Sequence, residues 1–264
     1  MTTALETLTA TAPVNPSDFV DPSTTINADA AAGLASHFEP LAPQDLLAWA
    51  LERWSSRLTL VTSFQAEDMA LLDIAWRIDR ERSGQGLRIA TLDTGRLHQE
   101  TYDIMETVRK RYGVAIEVLS PKSDALEALV GEHGPNLFHV SVENRLACCR
   151  VRKVEPLTRV LSDAPAWITG LRRDQAPSRA GTPKISIDLD NDAIKLAPIV
   201  DWNWQRLQEY LAEHDVPQHP LYSKGFLSIG CAPCTRPVEA GEDPRAGRWW
   251  WEQGVKECGL HIAK

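Results

Sequence analysis

From Leu58 onward, short apolar runs alternate with stretches whose apolar residues recur every three to four positions. Leu58 to Ser63, Arg88 to Leu92, Ala115 to Leu119 and Ala166 to Leu171 read as strands, and Ala66 to Arg80 and Leu97 to Tyr112 as helices. Such alternation predicts right-handed crossovers and an α/β fold built on an open, mainly parallel sheet flanked by helices. Further on, Ile185, Ile187 and Leu189 alternate with polar residues, Asp190-Asn191-Asp192 forms a turn, and Ile194 and Leu196 resume the period, which predicts a hairpin. Trp202 to His214 reads as a helix, and Ala28 to Trp54 as two short amphipathic helices separated at Pro40 and Pro43.

The remaining segments lack a period. Residues 1–26, rich in Thr, Ala, Pro and Asp, are expected to form a mobile N-terminal arm. The division is then an arm (1–26), N-terminal helices (27–54), the α/β domain (55–218) and a C-terminal segment (219–264) ending in a flexible tail. That last segment concentrates Pro, Gly and Trp, including Trp249-Trp250-Trp251.

Composition narrows the class. The chain has 264 residues, 43% of them hydrophobic, enough to bury a sizeable core. No stretch approaches ~18 consecutive apolar residues, and the first residues lack a basic start and apolar run, so the expectation is a cytoplasmic protein without a membrane partner. Seven of the 36 acids and none of the bases lie in residues 1–52, which leaves 29 acids against 28 bases downstream of a net charge of −8. No broad basic field for nucleic acid results, and an anionic ligand must be met by local Arg and Lys clusters. Five cysteines, an odd number in a reducing compartment, point to metal binding or thiol chemistry rather than disulfides. Homo-oligomerisation is left open.

Cys148 and Cys149 are adjacent within a helical pattern from Glu143 to Leu161, and Cys231 and Cys234 form a Cys-Ala-Pro-Cys turn. Four thiolates can hold a metal, the turn by curling around it. Neighbours on an α-helix diverge by about 100°, so the adjacent pair fits a 4Fe-4S cube, with a separate iron for each thiolate, better than one Zn²⁺. A four-thiolate zinc site and unliganded core cysteines stay as alternatives. Arg145, Arg150, Arg152 and Lys153 surround the pair, either as a solvated helix face or as partners of an anion.

The fifth cysteine, Cys258, stands in Glu257-Cys258-Gly259-Leu260-His261 near the C-terminus. A terminal thiol is inert unless cationic groups lower its pKa; brought into an Arg/Lys pocket it becomes a nucleophile, and His261 can add charge or a hydrogen bond. Three polar turns follow predicted strands, within Leu60-Val61-Thr62-Ser63-Phe64-Gln65-Ala66-Glu67-Asp68, Thr91-Leu92-Asp93-Thr94-Gly95 and Trp167-Ile168-Thr169-Gly170-Leu171-Arg172-Arg173-Asp174. Open parallel sheets bind ligands at such carboxyl ends, although Ser and Asp there also serve as ordinary helix caps.

With these residues in view, residues 55 to 264 resemble the phosphoadenylyl-sulfate reductase family, in its adenylyl-sulfate (APS) branch with an iron-sulfur cluster, related in fold to the adenine nucleotide alpha hydrolases. The markers are Cys148-Cys149 with Arg152-Lys153, the Cys231–Cys234 turn and the terminal motif around Cys258. The resemblance implies that Ser63, Phe64, Leu92 and Gly170 border adenosine, that Lys153, Arg179, Arg245 and Arg248 face the phosphosulfate, and that the four clustered cysteines hold a 4Fe-4S cluster. It further implies attack by Cys258 on adenylyl sulfate, an S-sulfocysteine intermediate, and thioredoxin or a glutaredoxin-like dithiol as donor. The ATP-splitting relatives carry a Ser-Gly-Gly loop where this chain has Ser63-Phe64-Gln65-Ala66, which argues against ATP cleavage. Competing readings are a 3′-phosphoadenylyl-sulfate or dual-specificity reductase, an ATP-dependent thiolation enzyme, and a non-catalytic redox sensor.

Overall fold

The computed structural model describes residues 14–82 and 86–253. Asn27 caps the first helix by accepting from Ala30 N (2.9 Å), opening α1 (Ala28–Phe38). Pro43 begins α2 (Pro43–Trp54), where the missing N–H costs nothing, and Asp45 reaches back to Ala42 N (3.1 Å). Then come β1 (Leu58–Val61), α3 (Ala66–Glu81), β2 (Leu87–Leu92), α4 (Gln99–Tyr112) and β3 (Glu117–Leu119). Gly113, at φ 64°, stops α4 in the left-handed conformation that glycine adopts without strain. After α5 (Ser123–His133) and α6 (Val142–Cys149), a π-helical turn (Arg150–Val154) leads into α7 (Glu155–Leu161). The described residues continue with β4 (Ala166–Ile168), the hairpin β5 (Ile185–Asp188) and β6 (Ala193–Leu196), and α8 (Trp204–Glu213), followed by short 3-10 turns.

The six strands run in the order β3-β2-β1-β4-β6-β5, all parallel except β5, which pairs antiparallel to β6 at the edge. β2 and β3 extend the sheet to one side of β1, and β4 and β6 to the other. Between β1 and β4 the connection reverses direction, and loops there part to leave a crevice at the carboxyl ends. The main core joins α1, α2, α3 and α8 to the sheet through residues such as Leu34, Leu47, Leu60, Met69, Ile168 and Leu207.

Three expectations change. The arm foreseen over residues 1–26 is not loose in its second half. Arg53, buried, donates to Phe19 O, Asp21 O (2.5 Å) and Thr24 O (2.5 Å), Trp49 Nε1 donates to Pro16 O (3.0 Å), and Phe19, Val20 and Ile26 pack on the core. α5 was not foreseen, because it buries no residue and so leaves no apolar stripe to read. The helix foreseen unbroken from Glu143 to Leu161 changes register at its π turn, immediately after the cysteine pair. Among the described residues, no helix is long and apolar enough to cross a membrane.

Candidate active site

A cavity of about 430 Å³ opens over the carboxyl ends of β1, β2 and β4, and Ser63, Leu92 and Gly170 all line it. Thr62 N donates to Ala90 O (2.8 Å), carrying the turn after β1 onto β2. There Phe64, expected to border adenosine, adopts φ 59° and turns its ring fully into the core, outside the cavity lining. Its neighbours are also committed: Asp68 Oδ2 accepts from Ser63 N (2.5 Å) and Ser63 Oγ (2.7 Å), Phe64 N donates to Thr62 Oγ1 (2.9 Å), and Ala66 N donates to Tyr222 Oη (2.9 Å). The Ser63, Phe64 and Ala66 amides are thus engaged within the protein. Burial raises the Asp68 carboxyl to about 6 despite the two Ser63 hydrogen bonds. Gly170 is required by close approach, since a Cβ there would lie 2.4 Å from Asp68 Oδ1.

Cations contribute to the same lining. Lys153, Arg172, Arg179, Arg245 and Arg248 line the cavity, delivered by four different segments. Arg248 is 6% exposed, donates to Ser228 Oγ (3.2 Å) and Ile229 O (3.3 Å), and passes so close to Gly230 that a Cβ would meet its Nη2 at 2.5 Å. A bridge between Thr235 and Arg248 closes the loop that carries Arg245. Acids are present too: Arg172 Nε pairs with Glu67 (3.0 Å), and Asp174 and Asp243 lie in the lining. The cations thus sit in fixed networks rather than forming a uniform positive surface.

Beside this cavity Cys148, Cys149, Cys231 and Cys234, all buried, line one small void together with Phe138, Arg145, Arg152, Lys153 and Trp249. Ala232 N donates to Arg96 O (2.8 Å) and Cys234 N to Cys231 O (2.9 Å), which curls the Cys-Ala-Pro-Cys turn, and Thr94 Oγ1 lies 3.2 Å from Cys231 Sγ. On the facing helix both cysteines occupy the last regular turn, and the π turn follows directly after Cys149. Burial, with Cys231 nearby, pushes the Cys234 thiol up to about 12, and burial raises Cys148 as well. A thiolate at Cys148 or Cys234 therefore needs positive charge close by. Among the described residues no three His, Cys, Asp or Glu side chains converge tightly enough for a single metal ion.

Two residues join the compartments. Lys153 lines both, and so does Trp249, 1% exposed, whose ring is flanked by the guanidinium carbons of Arg145 (4.5 Å) and Arg248 (4.7 Å). The sequence displayed Trp249 within an aromatic run but offered no period that would assign it a position. Asp68, Arg172 and Gln175 were likewise missed as site residues; only the placing of a polar turn after a strand hinted at them. Cys258 and His261 lie outside the described residues.

Comparison with known proteins gives consistent results. An adenosine 5′-phosphosulfate reductase of Allochromatium vinosum is 48% identical over 205 residues, 77% of this chain and 78% of that protein. One from Pseudomonas aeruginosa is 41% identical over 235 residues, 86% of this chain and 85% of its own length. Among solved structures, the phosphoadenylyl-sulfate reductase of Candida auris superposes with a TM-score of 0.67 at 24% identity, covering 80% of this chain and 98% of that one, which establishes a common fold. Residues 57–237 match the family model described as the phosphoadenosine phosphosulfate reductase domain, and the chain belongs to that family.

Proposed function

We propose that this protein reduces adenylyl sulfate to sulfite and AMP in assimilatory sulfate reduction, with Cys258 as nucleophile. The observation that carries the reading is the void lined by four cysteines, sharing Lys153 and Trp249 as walls with a nucleotide-sized, cation-lined cavity. The relatives at 41% to 48% identity are reductases of adenosine 5′-phosphosulfate, which favours the substrate without a 3′-phosphate.

The cavity suits the nucleotide in two parts. Ser63, Leu92 and Gly170 border the adenosine, and Lys153, Arg179, Arg245 and Arg248 meet the phosphosulfate. The Cys258 thiolate attacks the sulfur; the S–O bond to the phosphate breaks, AMP departs with the bonding pair, and S-sulfocysteine forms. AMP leaves readily when its developing charge meets fixed cations, an effect worth several kcal/mol in comparable sites. A dithiol of the thioredoxin or glutaredoxin class then gives two electrons, releasing sulfite and becoming a disulfide, and His261 supports the thiolate. These thiol steps belong in the cytosol, where dithiols are kept reduced.

The buried four-sulfur pocket fits a 4Fe-4S cluster held by Cys148, Cys149, Cys231 and Cys234. Adjacent thiolates on a helix, with a second pair on a turn across one void, suit a cube with a separate iron for each sulfur. Its contribution when bound is electrostatic, fixing the charge environment of Lys153, since the dithiol supplies the electrons.

The test is anaerobic incubation of the purified holoprotein with adenylyl sulfate and no reductant, followed by mass spectrometry. A sulfonate adduct on Cys258 is expected, and its absence, or its appearance on another cysteine, overturns the reading. Cys258→Ser is expected to retain the cluster absorbance and release no sulfite.

A further inference from the structure

Gln175 follows β4 in a single 3-10 turn (Arg173–Gln175), and Arg179 ends the next one (Pro177–Arg179). Both side chains line the cavity, and Arg179 is 8% exposed. The Gln175 amide is used on all four sides. Its Oε1 accepts from Arg179 Nη1 and from Arg172 N (3.1 Å), while its Nε2 donates to Glu67 Oε1 (2.9 Å) and to Gly170 O (3.4 Å). An amide offers two acceptor and two donor positions, so this saturation fixes its orientation.

We infer that Gln175 is a positioning residue that aims the Arg179 guanidinium into the cavity; this rests on the reading of Arg179 as a phosphosulfate contact. Arg179 is a long side chain whose ordering costs conformational entropy at the moment of binding unless it is ordered beforehand. Glu67 is the nearby carboxylate, and it is already paired with Arg172 (3.0 Å). The neutral Gln175 amide stands between Glu67 and Arg179, linking the guanidinium to this buried pair. Gln175 also spans the turn to Gly170, so the wall assigned to adenosine and the cation assigned to phosphosulfate are set by one side chain.

A double-mutant cycle separates this from simple support of the turn. Gln175→Met keeps the volume and removes the hydrogen bonds. In holoprotein with unchanged visible absorbance and thermal midpoint, KM for adenylyl sulfate is expected to rise about tenfold, with kcat changed by less than about threefold. In an Arg179→Ala background the same substitution is expected to alter KM by less than about twofold. Multiplicative losses overturn the inference, as does a wild-type KM in Gln175→Met alongside an impaired Arg179→Ala. Should Gln175→Met fail to fold, Gln175→Ala enters the same cycle with the same outcomes. A wild-type KM in Arg179→Ala removes both this inference and the role of Arg179, while leaving the mass measurement on Cys258 standing.

Discussion

At the scale of single residues, the site is set by close approaches more than by reactive groups. Gly170 is the sharpest case: a methyl group there would press on Asp68 Oδ1 at 2.4 Å and Glu67 Cβ at 2.8 Å, both on the first turn of α3. Gly170→Ala must therefore displace the carboxylate that holds Ser63. Its expected effect is a rise of about tenfold or more in KM for adenylyl sulfate, a loss of about 1–3 kcal/mol from overpacking, and unchanged cluster absorbance. Steady-state kinetics and a denaturation midpoint check it. Phe64 shows the other side of this economy, a non-glycine residue at positive φ tolerated because its ring is wholly buried.

Among elements, the helix bearing Cys148 and Cys149 is the informative one. The π turn Arg150–Val154 sets where the pair points relative to α7, whose Pro156, Leu157, Val160 and Leu161 are buried. Deleting Val151 is expected to restore a regular helix and rotate the cysteines by about 100° against that buried face. Iron content and visible absorbance should fall to background while far-ultraviolet circular dichroism stays near wild type. A second element-level contact joins α4 to the 3-10 turn at Pro220–Lys224. There His219, 1% exposed, lies 3.1 Å from Thr101 Oγ1 through Nε2 and accepts from Leu221 N (3.3 Å) through Nδ1. Burial lowers its pKa from 6.5 to about 4. At His219 the folded chain thus binds fewer protons than the unfolded chain between these values, so the contribution of this residue to stability is complete near neutrality and declines as the pH falls from about 6.5 toward 4. His219→Gln is expected to flatten that part of a Tm–pH profile.

For the whole molecule, what matters is how the C-terminal segment is tied to the cysteine helix. Arg145 and Glu252 form a pair at 2.7 Å with side-chain exposures of 3% and 7%, and Arg145 also stands over Trp249. Removing the carboxylate takes a partner from a buried guanidinium, so Glu252→Ala is expected to destabilise the fold by about 1–3 kcal/mol. The denaturant midpoint should fall, and the cluster should bleach faster in air.

Local order was legible in the amino-acid pattern. Apolar periods revealed the alternation of strands and helices and the β5–β6 hairpin, because those periods follow from backbone geometry within a few residues. Cysteine spacing likewise isolated the two sulfur pairs. Tertiary structure alone decided the strand order, the laying down of residues 14–26, the burial of Phe64, and the gathering of both pairs on one void. The reason is separation along the chain: Glu67 meets Arg172 across 105 positions and Arg145 meets Glu252 across 107. No local period encodes such partnerships; they exist once the sheet has assembled and its loops have been brought to a common edge.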